Sequence, residues 1–327
     1  MKAAVLVGAQ NIRITKDWPA PTCRADEVVV AMHGLGICGS DLAVYDGHQV
    51  PPAFPWVMGH EGFGEIVQVG EAVANRHVGQ QVVIEPNYCC LDCAACRSGH
   101  TSTCPHRAVV GMNCPGLLTE RVAVPARFAW PVAKKADSKD LVCTEPVAVA
   151  RTAVKRSNVT PGDACLVVGA GSQGLFVCQT LLASGVQPVV VEPHAERRKL
   201  AEWIGARVAS ADQQGFHYVF ETSGATSALR TAVDSAAPMG ELVLIGISAN
   251  TIPVTPAELV RRQLIVRGSL IYDHPHDYSQ AVADITSQRL RPGAVVAAQY
   301  PLDKAAEAFA AARDIPGKTL ITFLPEA

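Results

Sequence analysis

The sequence predicts an α/β protein of two domains, in which a β-rich domain precedes a doubly wound parallel sheet. With 327 residues the chain is long for a single compact core, so two domains are expected. Up to about residue 130, short apolar runs alternate with Gly, Pro and Asp, which is the pattern of strands and turns. From about residue 140, apolar runs of strand length alternate with helical segments, which favours βαβ units with helices on both faces of the sheet.

The β-rich part contains three clear strand signals and two turn signals. The strand signals are residues 27–31, 64–69 and 81–84, and the turn signals are Asp46-Gly47 and Val69-Gly70. Helical periodicity is weak here, so we expect few helices in this domain.

The second part begins with a strand, a glycine turn and a helix, and the alternation then repeats. We predict strands at 164–168, 188–191, 218–220, 242–245 and 264–266, and helices at 175–184 and 195–204. A helix over 303–313 and a last strand over 318–323 complete the chain.

The bulk composition excludes several classes of function. Hydrophobic residues make up 49% of the chain and charged residues 18%, as in an ordinary soluble globular protein. A net charge of −2 gives no electrostatic basis for binding nucleic acid or an anionic membrane. Apolar runs such as 189–191 are far shorter than the ~20 residues of a membrane span, and the chain starts with a strand-like run rather than a signal segment. We therefore expect a cytoplasmic protein.

Four cysteines in a short loop form the most specific motif. Two residues separate Cys90 from Cys93 and Cys93 from Cys96, and seven separate Cys96 from Cys104. Four thiolates at this spacing can surround one tetrahedral metal and leave no open position, which favours a structural zinc. Disulfides and an iron–sulfur cluster are the alternatives. Cys89 is left over beside the set.

A second metal site has candidates but no diagnostic spacing. Cys38, His60, Glu61 and Glu145 offer a thiolate, an imidazole and two carboxylates, and a catalytic zinc uses three such ligands. A lone histidine is more often a core residue and a lone glutamate more often a strand-end charge, so residue types alone leave this site open.

A glycine turn marks a dinucleotide site. Gly169, Gly171 and Gly174 form a G-x-G-x-x-G motif that includes Ser172 and Gln173, and it follows a predicted strand and opens a predicted helix. The first glycine allows the turn, the second lets the pyrophosphate approach the backbone, and the third lets helix and strand pack closely. The pyrophosphate would lie at the helix N-terminus.

Glu192 at the end of the next predicted strand bears on the choice of cofactor. A carboxylate there can bind the ribose hydroxyls of NAD and repels the 2′-phosphate of NADP. Arg197 and Arg198 are the opposing observation, because arginine accommodates that phosphate. We favour NAD and expect the arginines to lie on a solvated helix face.

Taken together, these motifs resemble the zinc-dependent medium-chain dehydrogenase/reductase family over nearly the whole chain. The resemblance rests on residues 36–41 (Gly-Ile-Cys-Gly-Ser-Asp), residues 59–64 (Gly-His-Glu-Gly-Phe-Gly), the four-cysteine loop and Thr144-Glu145-Pro146, all in family order. The Glu-Pro pair is similar to the polyol (sorbitol-type) branch. The resemblance implies a GroES-like catalytic domain over 1–147 and 281–327 and a Rossmann NAD-binding domain over 148–280.

The resemblance also implies roles for individual residues. Cys38, His60 and Glu61 would hold a catalytic zinc, and Glu145 would lie nearby or replace a ligand. Ser40 would start a proton relay through the cofactor ribose. Cys143, two residues before Glu145, is expected to be a core residue.

Three features depart from the family pattern. The family often has a relay histidine where this chain has Ala43, so Tyr45, His48 or solvent would have to take its place. About ten residues separate Val208 from Val219, where the family usually has a further helix and loop. Aromatic residues are only 6% of the chain, which gives no sign of a bulky hydrophobic substrate pocket.

The expected activity is hydride transfer between a secondary alcohol and NAD. Polyols, sugars and cyclitols are the expected substrates, and an aminocyclitol-type dehydrogenase of secondary metabolism is an alternative. A non-catalytic zinc- and nucleotide-binding redox sensor is the alternative from another class. The expected partners are a small hydroxylated substrate and further copies of the chain, as homodimer or homotetramer.

Overall fold

The computed structural model describes residues 1–133, 136–249, 251 and 254–323. Within these residues the strands of the first part are β1 (Ala3–Gly8), β2 (Asn11–Thr15), β3 (Glu27–Gly36), β4 (Trp56–Val57), β5 (Glu61–Val69), β6 (Gln81–Ile84), β7 (Asn87–Tyr88), β8 (Ala108–Val109), β9 (Arg121–Pro125) and β10 (Ala129–Pro131). The later strands are β11 (Cys165–Val168), β12 (Pro188–Val191), β13 (Arg207–Val208), β14 (Phe216–Glu221), β15 (Ala236–Leu244), β16 (Ile265–Gly268), β17 (Val296–Pro301) and β18 (Lys318–Thr322). The helices are α1 (Gly39–Tyr45), α2 (Ala94–Arg97), α3 (Ser138–Val142), α4 (Thr144–Ser157), α5 (Ser172–Ala183), α6 (Ala195–Trp203), α7 (Thr226–Ser235), α8 (Pro256–Arg262), α9 (His276–Thr286) and α10 (Ala305–Ala311).

The chain divides into two compact units. The first unit comprises 1–145 and 273–327, and the second comprises 146–272. The first boundary lies two residues before the one expected from the sequence, and the second lies eight residues before it.

The first unit is built on a seven-stranded sheet centred on β3. Its order is β10-β6-β5-β3-β18-β17, with β9 also paired to β3, and a second sheet has the order β2-β1-β4. Alternate residues of β3 such as Val28, Val30 and Met32 belong to the buried core of the unit. The predicted strands are confirmed, and α1 to α3 are short, as the weak helical periodicity predicted.

The second unit is a six-stranded parallel sheet of order β13-β12-β11-β14-β15-β16. Leu166 and Val168 of β11 pack with Val219 and Leu242 in a buried cluster, which explains the continuous apolar runs of these strands. The predicted parallel α/β class is confirmed. Residues 209–215 between β13 and β14 form a turn and contain no helix in the described chain. The coenzyme-type unit is thus shortened at this point.

Among the residues that the structure describes, no helix combines the length and the apolar character needed to cross a bilayer.

Candidate active site

The pairing of β3 with β5 brings the first group of candidate ligands together. Gly36 at the end of β3 lies opposite Glu61 at the start of β5. Cys38 follows β3 by two residues and His60 precedes β5 directly, so both lie at the same end of this strand pair. One ligand atom from each of Cys38, His60 and Glu61 lies within 4.8 Å of the other two. The tertiary fold therefore forms the three-residue set that residue types alone left open.

Asp41 organises this group, although sequence reasoning gave it no role. Its fully buried carboxylate accepts hydrogen bonds from the backbone N–H of Cys38 (2.9 Å) and of Gly59 (3.2 Å). Its Oδ1 also lies 3.1 Å from His60 Nδ1. A carboxylate on one imidazole nitrogen fixes the ring and leaves Nε2 to face a metal. Its position three residues after a candidate ligand is the only signal for this role in the sequence.

The neighbours of His60 change the pKa of its imidazole ring. Burial works against a charged ring, but the Asp41 carboxylate and the Cys38 thiol together raise the pKa of His60 well above its usual value. Ser40 Oγ lies 3.5 Å from His60 Nε2, so the predicted relay hydroxyl lies beside the ligand group.

Glu61 meets a buried lysine that the sequence analysis did not single out. Lys318 on β18 is 1% exposed, and its Nζ forms an ion pair with Glu61 Oε2. Burial disfavours the ammonium, but Glu61, Cys38 and Cys143 raise the pKa of Lys318, so the side chain is charged. Glu61 Oε1 has no hydrogen-bond partner among the described residues. A fully buried carboxylate oxygen with no partner is suited to a cation, and together with the thiol and imidazole it matches the donor set of a catalytic zinc.

Glu145 lies outside this three-residue set, in the first turn of α4. Burial raises the pKa of Glu145 to about 7; Glu61 and Asp41 also raise it, whereas His60 and Lys318 lower it. The carboxyl group can therefore be either neutral or ionised near neutral pH. Cys143 is fully buried and also lies outside the set.

The four-cysteine loop forms the second candidate metal centre. Cys90, Cys93, Cys96 and Cys104 offer sulfur atoms within 4.8 Å of one another, and none is in a disulfide. Backbone N–H groups of Asp92 and Cys93 lower the pKa of Cys90 to about 6, which favours its thiolate. Cys89 is buried and is not part of the set. Four converging thiols are the donor set of a structural zinc.

In the second unit the glycine turn joins β11 to α5, as its motif predicts. Gly169 has φ +96°, which a residue with a side chain rarely adopts. A Cβ at Gly174 would lie 2.0 Å from the carbonyl oxygen of Gly169, whereas a Cβ at Gly171 would have no neighbour within 4 Å. The third glycine is thus needed for packing, and the second leaves open space at the start of α5, where an anion can bind. Ser172 opens α5, and Gln173 Nε2 donates to the carbonyl of Pro146 (3.3 Å).

Glu192 is placed at the end of β12 but also supports the glycine turn. Its Oε2 accepts from the N–H of Ala170 (2.7 Å) and its Oε1 from the N–H of His194 (2.9 Å). Arg198 Nη1 donates to the carbonyl oxygens of Glu192 and Pro193. Glu192 therefore has a structural role that the motif did not reveal, and Arg198 is engaged with the backbone.

Two comparisons of sequence match both units. Residues 24–134 match the family model described as "Alcohol dehydrogenase GroES-like domain", and residues 174–287 match "Zinc-binding dehydrogenase". The chain is 30% identical to "Probable D-xylulose reductase A" of Arthroderma otae, over 97% of this chain and 96% of that protein. It is 28% identical to "2-dehydro-3-deoxy-L-galactonate 5-dehydrogenase" of Pseudoalteromonas atlantica, over 95% and 94% of the two chains.

A solved structure has the same fold over almost its full length. The chain superimposes with a TM-score of 0.91 and 27% identity on an Escherichia coli CFT073 protein, covering 99% of each chain. That protein is described as a short chain alcohol dehydrogenase (rspB) in complex with the cofactor NADH.

Proposed function

Because the chain belongs to the zinc-dependent medium-chain dehydrogenase/reductase family, we propose that it transfers hydride between a polyol or sugar-type secondary alcohol and NAD. The observation that carries this proposal is the set of half-buried Cys38 and buried His60 and Glu61, whose donor atoms lie within 4.8 Å of one another. Relatives named for sugar-acid and pentulose substrates support the substrate class.

Each residue in and around this set is assigned a separate role in the proposed reaction. Cys38, His60 and Glu61 would hold zinc, which supplies a Lewis acid that lowers the pKa of a bound hydroxyl. Asp41 orients His60, and Lys318 fixes and neutralises Glu61. We assign to Glu145 a hydrogen bond with the reacting hydroxyl or with a neighbouring water.

The proton leaves through Ser40 in this proposal. Its hydroxyl lies beside His60, but Ala43 cannot continue the relay. Tyr45 packs its ring on Phe309 in the core, with centroids 5.5 Å apart, and is therefore not suited to the task. The remaining candidates to accept the proton after Ser40 are the exposed His48 and solvent.

We assign the cofactor site to Gly169, Gly171, Ser172, Gln173 and Gly174, with Glu192 selecting NAD. The Glu192 carboxylate disfavours a 2′-phosphate by charge repulsion. We assign Arg197, which lies on the first turn of α6, to the edge of this site.

The proposed assembly is a homodimer or a homotetramer, with β16 as a contact surface. In the described chain β16 pairs only with β15, and Ile265 (49% exposed), Val266 and Leu270 present apolar surface there. An exposed apolar edge strand is a template for pairing with a second copy. We also propose a cytoplasmic location, because all eleven cysteines are free thiols.

A panel of polyols, sugars and sugar acids, read by the absorbance of the reduced nicotinamide with NAD and with NADP, tests the activity. We expect turnover with at least one polyol or sugar-type alcohol and preference for NAD. Cys38→Ala should abolish turnover while NAD still binds. Turnover retained by Cys38→Ala would refute the proposed metal site.

A further inference from the structure

We propose that Glu221, the last residue of β14, makes the cofactor site favour the oxidised nicotinamide cofactor over the reduced one. The inference rests on the proposed function, because it concerns the NAD site assigned there. The side chain of Glu221 is fully buried, and its carboxylate has no part in the roles assigned so far. The nicotinamide ring is cationic in NAD and neutral in NADH, so a negative charge near the bound ring distinguishes the two forms.

Glu221 lies at the edge of the parallel sheet where a dinucleotide is expected to bind. Strands β12 and β13 lie on one side of β11, and β14, β15 and β16 lie on the other. In such sheets the ligand binds outside the carboxyl ends of the strands, at the point where the strand order reverses. Glu221 is at this point, because it pairs in register with Val168, the last residue of β11. The adenosine half is assigned to Glu192 beyond β12, which leaves the ends of β14 and β15 for the nicotinamide half.

The turn that follows Glu221 is joined to the glycine turn of the cofactor site. The hydroxyl of Thr222 donates to the carbonyl oxygens of Val168 (3.0 Å) and Gly169 (3.2 Å). On the other side, the backbone N–H of Gly246, just beyond β15, donates to the carbonyl oxygen of Glu221 (3.1 Å). Glu221 is therefore held between the glycine turn and the turn after β15.

The carboxylate of Glu221 is bound by neutral donors only. Its Oε1 accepts from the N–H of Ser223 (2.8 Å), the hydroxyl of Ser223 (2.7 Å) and the N–H of Gly224 (2.9 Å), and its Oε2 lies 3.1 Å from the same N–H of Gly224. Among the described residues no lysine, arginine or histidine forms an ion pair with it, whereas the equally buried Glu61 is paired with Lys318. A net negative charge therefore remains at this edge of the sheet, and it attracts a cationic ring more than a neutral one.

The dissociation constants of NAD and NADH, measured by calorimetric titration, test the inference. Glu221→Gln removes the charge and keeps one oxygen that can accept from Ser223. The ratio of the NADH to the NAD dissociation constant should fall about three- to tenfold in this variant relative to the unaltered protein. Loss of turn support alone would weaken the binding of both cofactors alike and leave the ratio unchanged.

Asp163→Asn is the matched control, because Asp163 also supports a turn but lies at the opposite end of β11. Its Oδ2 accepts from the backbone N–H (2.8 Å) and the hydroxyl (2.9 Å) of Thr160. Asp163 precedes β11 by two residues, so its charge is at the amino ends of the strands. We expect the ratio of the two dissociation constants to stay within about twofold of its value in the unaltered protein.

Benzamide adenine dinucleotide tests the same charge without any substitution in the protein. Its ring is flat and carries a carboxamide, as in NAD, but the ring is uncharged. The unaltered protein should bind NAD about three- to tenfold more tightly than this analogue. This comparison decides the question if Glu221→Gln does not fold.

Three results would overturn the inference while leaving the proposed NAD site in place. They are an unchanged ratio of dissociation constants in Glu221→Gln, an equal fall of the ratio in Asp163→Asn, and equal affinities of the unaltered protein for NAD and the benzamide analogue. Failure of the unaltered protein to bind either NAD or NADH would instead overturn the proposed function, and this inference with it.

Discussion

At the scale of single residues, charge balance explains the surroundings of the candidate metal ligands. Glu61 is fully buried, and a buried carboxylate is tolerated only when it is paired. Lys318 supplies the pairing charge, although it lies far from Glu61 in sequence. In the same way, the Asp41 carboxylate lies beside the buried imidazole of His60.

Replacement of Lys318 by Met should strongly destabilise the protein. The change leaves Glu61 as a buried charge without its lysine, and breaking a buried ion pair costs about 3–5 kcal/mol. Urea unfolding measures the loss in the free energy of unfolding. The double variant Lys318→Met/Glu61→Gln should recover most of the stability.

The matched control is Lys199→Met, because Lys199 pairs with Glu196 on the exposed surface. Surface ion pairs contribute about 0–1 kcal/mol. Similar losses for the Lys318 and Lys199 variants would contradict a stabilising role of the buried pair.

Replacement of Asp41 by Asn should weaken zinc binding at Cys38, His60 and Glu61. Loss of the carboxylate that orients a ligating histidine typically lowers metal affinity roughly 10- to 100-fold. Chelator competition with metal analysis of the protein should show one zinc released early and the four-cysteine zinc retained. Asp46→Asn, at the C-terminal end of α1, is the control, because Asp46 pairs with Arg313 and not with a candidate ligand. Unchanged release from Asp41→Asn would remove Asp41 from its positioning role.

At the scale of elements, the turn between β11 and α5 shows how two glycines of one motif serve different purposes. Glycine is required at position 174 because the backbone of Gly169 lies so close that a Cβ would meet its carbonyl oxygen. Gly171 has extended backbone geometry and empty space around it, so the folded protein alone does not require glycine there. In the proposed cofactor site, glycine is needed there so that the pyrophosphate can approach the backbone.

The variants Gly174→Ala and Gly171→Ala should therefore fail in different ways. Gly174→Ala should lower the free energy of unfolding by about 1–3 kcal/mol through overpacking. Gly171→Ala should stay within about 0.5 kcal/mol of the unaltered protein but bind NAD roughly tenfold or more weakly. Thermal unfolding and cofactor titration check the pair. Normal NAD affinity in a folded Gly171→Ala protein would contradict the assigned site.

Substitutions of Glu192, at the end of β12, can separate the effect of its charge on the cofactor from its hydrogen bonds to the glycine turn. Glu192→Gln removes the charge but keeps one acceptor, which can serve either the N–H of Ala170 or that of His194, whereas Glu192→Ala removes the charge and both acceptors. We expect Gln to reduce the preference for NAD over NADP about tenfold or more with a smaller loss of thermal stability than Ala, which should lower both the preference and the stability. Steady-state kinetics with the two cofactors measure the preference. An unchanged preference in Glu192→Gln would remove Glu192 from the adenosine site.

For the molecule as a whole, β16 is an edge strand whose outer side has no strand partner among the described residues. Ile265→Lys puts a charge on this apolar edge, and natural edge strands use lysine to block pairing. We expect the unaltered protein to elute as a dimer or tetramer and the variant to shift toward monomer in light-scattering chromatography. Val78→Lys, at an exposed apolar residue that is not part of β16, is the control. An unshifted mass for Ile265→Lys would exclude β16 as the contact.

Metal content is also a property of the whole chain. Two zinc ions per chain are expected, one for each converging ligand set. Elemental analysis giving one or none would contradict the two-site interpretation.

The fold class, the four-cysteine loop and the glycine turn could be predicted from the amino-acid sequence alone. These signals are local. Strand periodicity, metal ligands three residues apart and a strand–turn–helix motif each involve residues that are close together in the sequence. The strand at 188–191 and the helix from residue 195 were accordingly located almost to the residue. Strand β3 proved longer than predicted, because its glycine-rich end is held by pairing with β5 and β18 rather than by apolar periodicity.

Contacts between residues that are distant in sequence could be identified only in the folded structure. Cys38, His60 and Glu61 converge because β3 pairs with β5, and Lys318 reaches Glu61 because β18 pairs with the other side of β3. Strand pairing between distant segments leaves little trace in composition or spacing, so the roles of Asp41 and Lys318 were not recognisable beforehand.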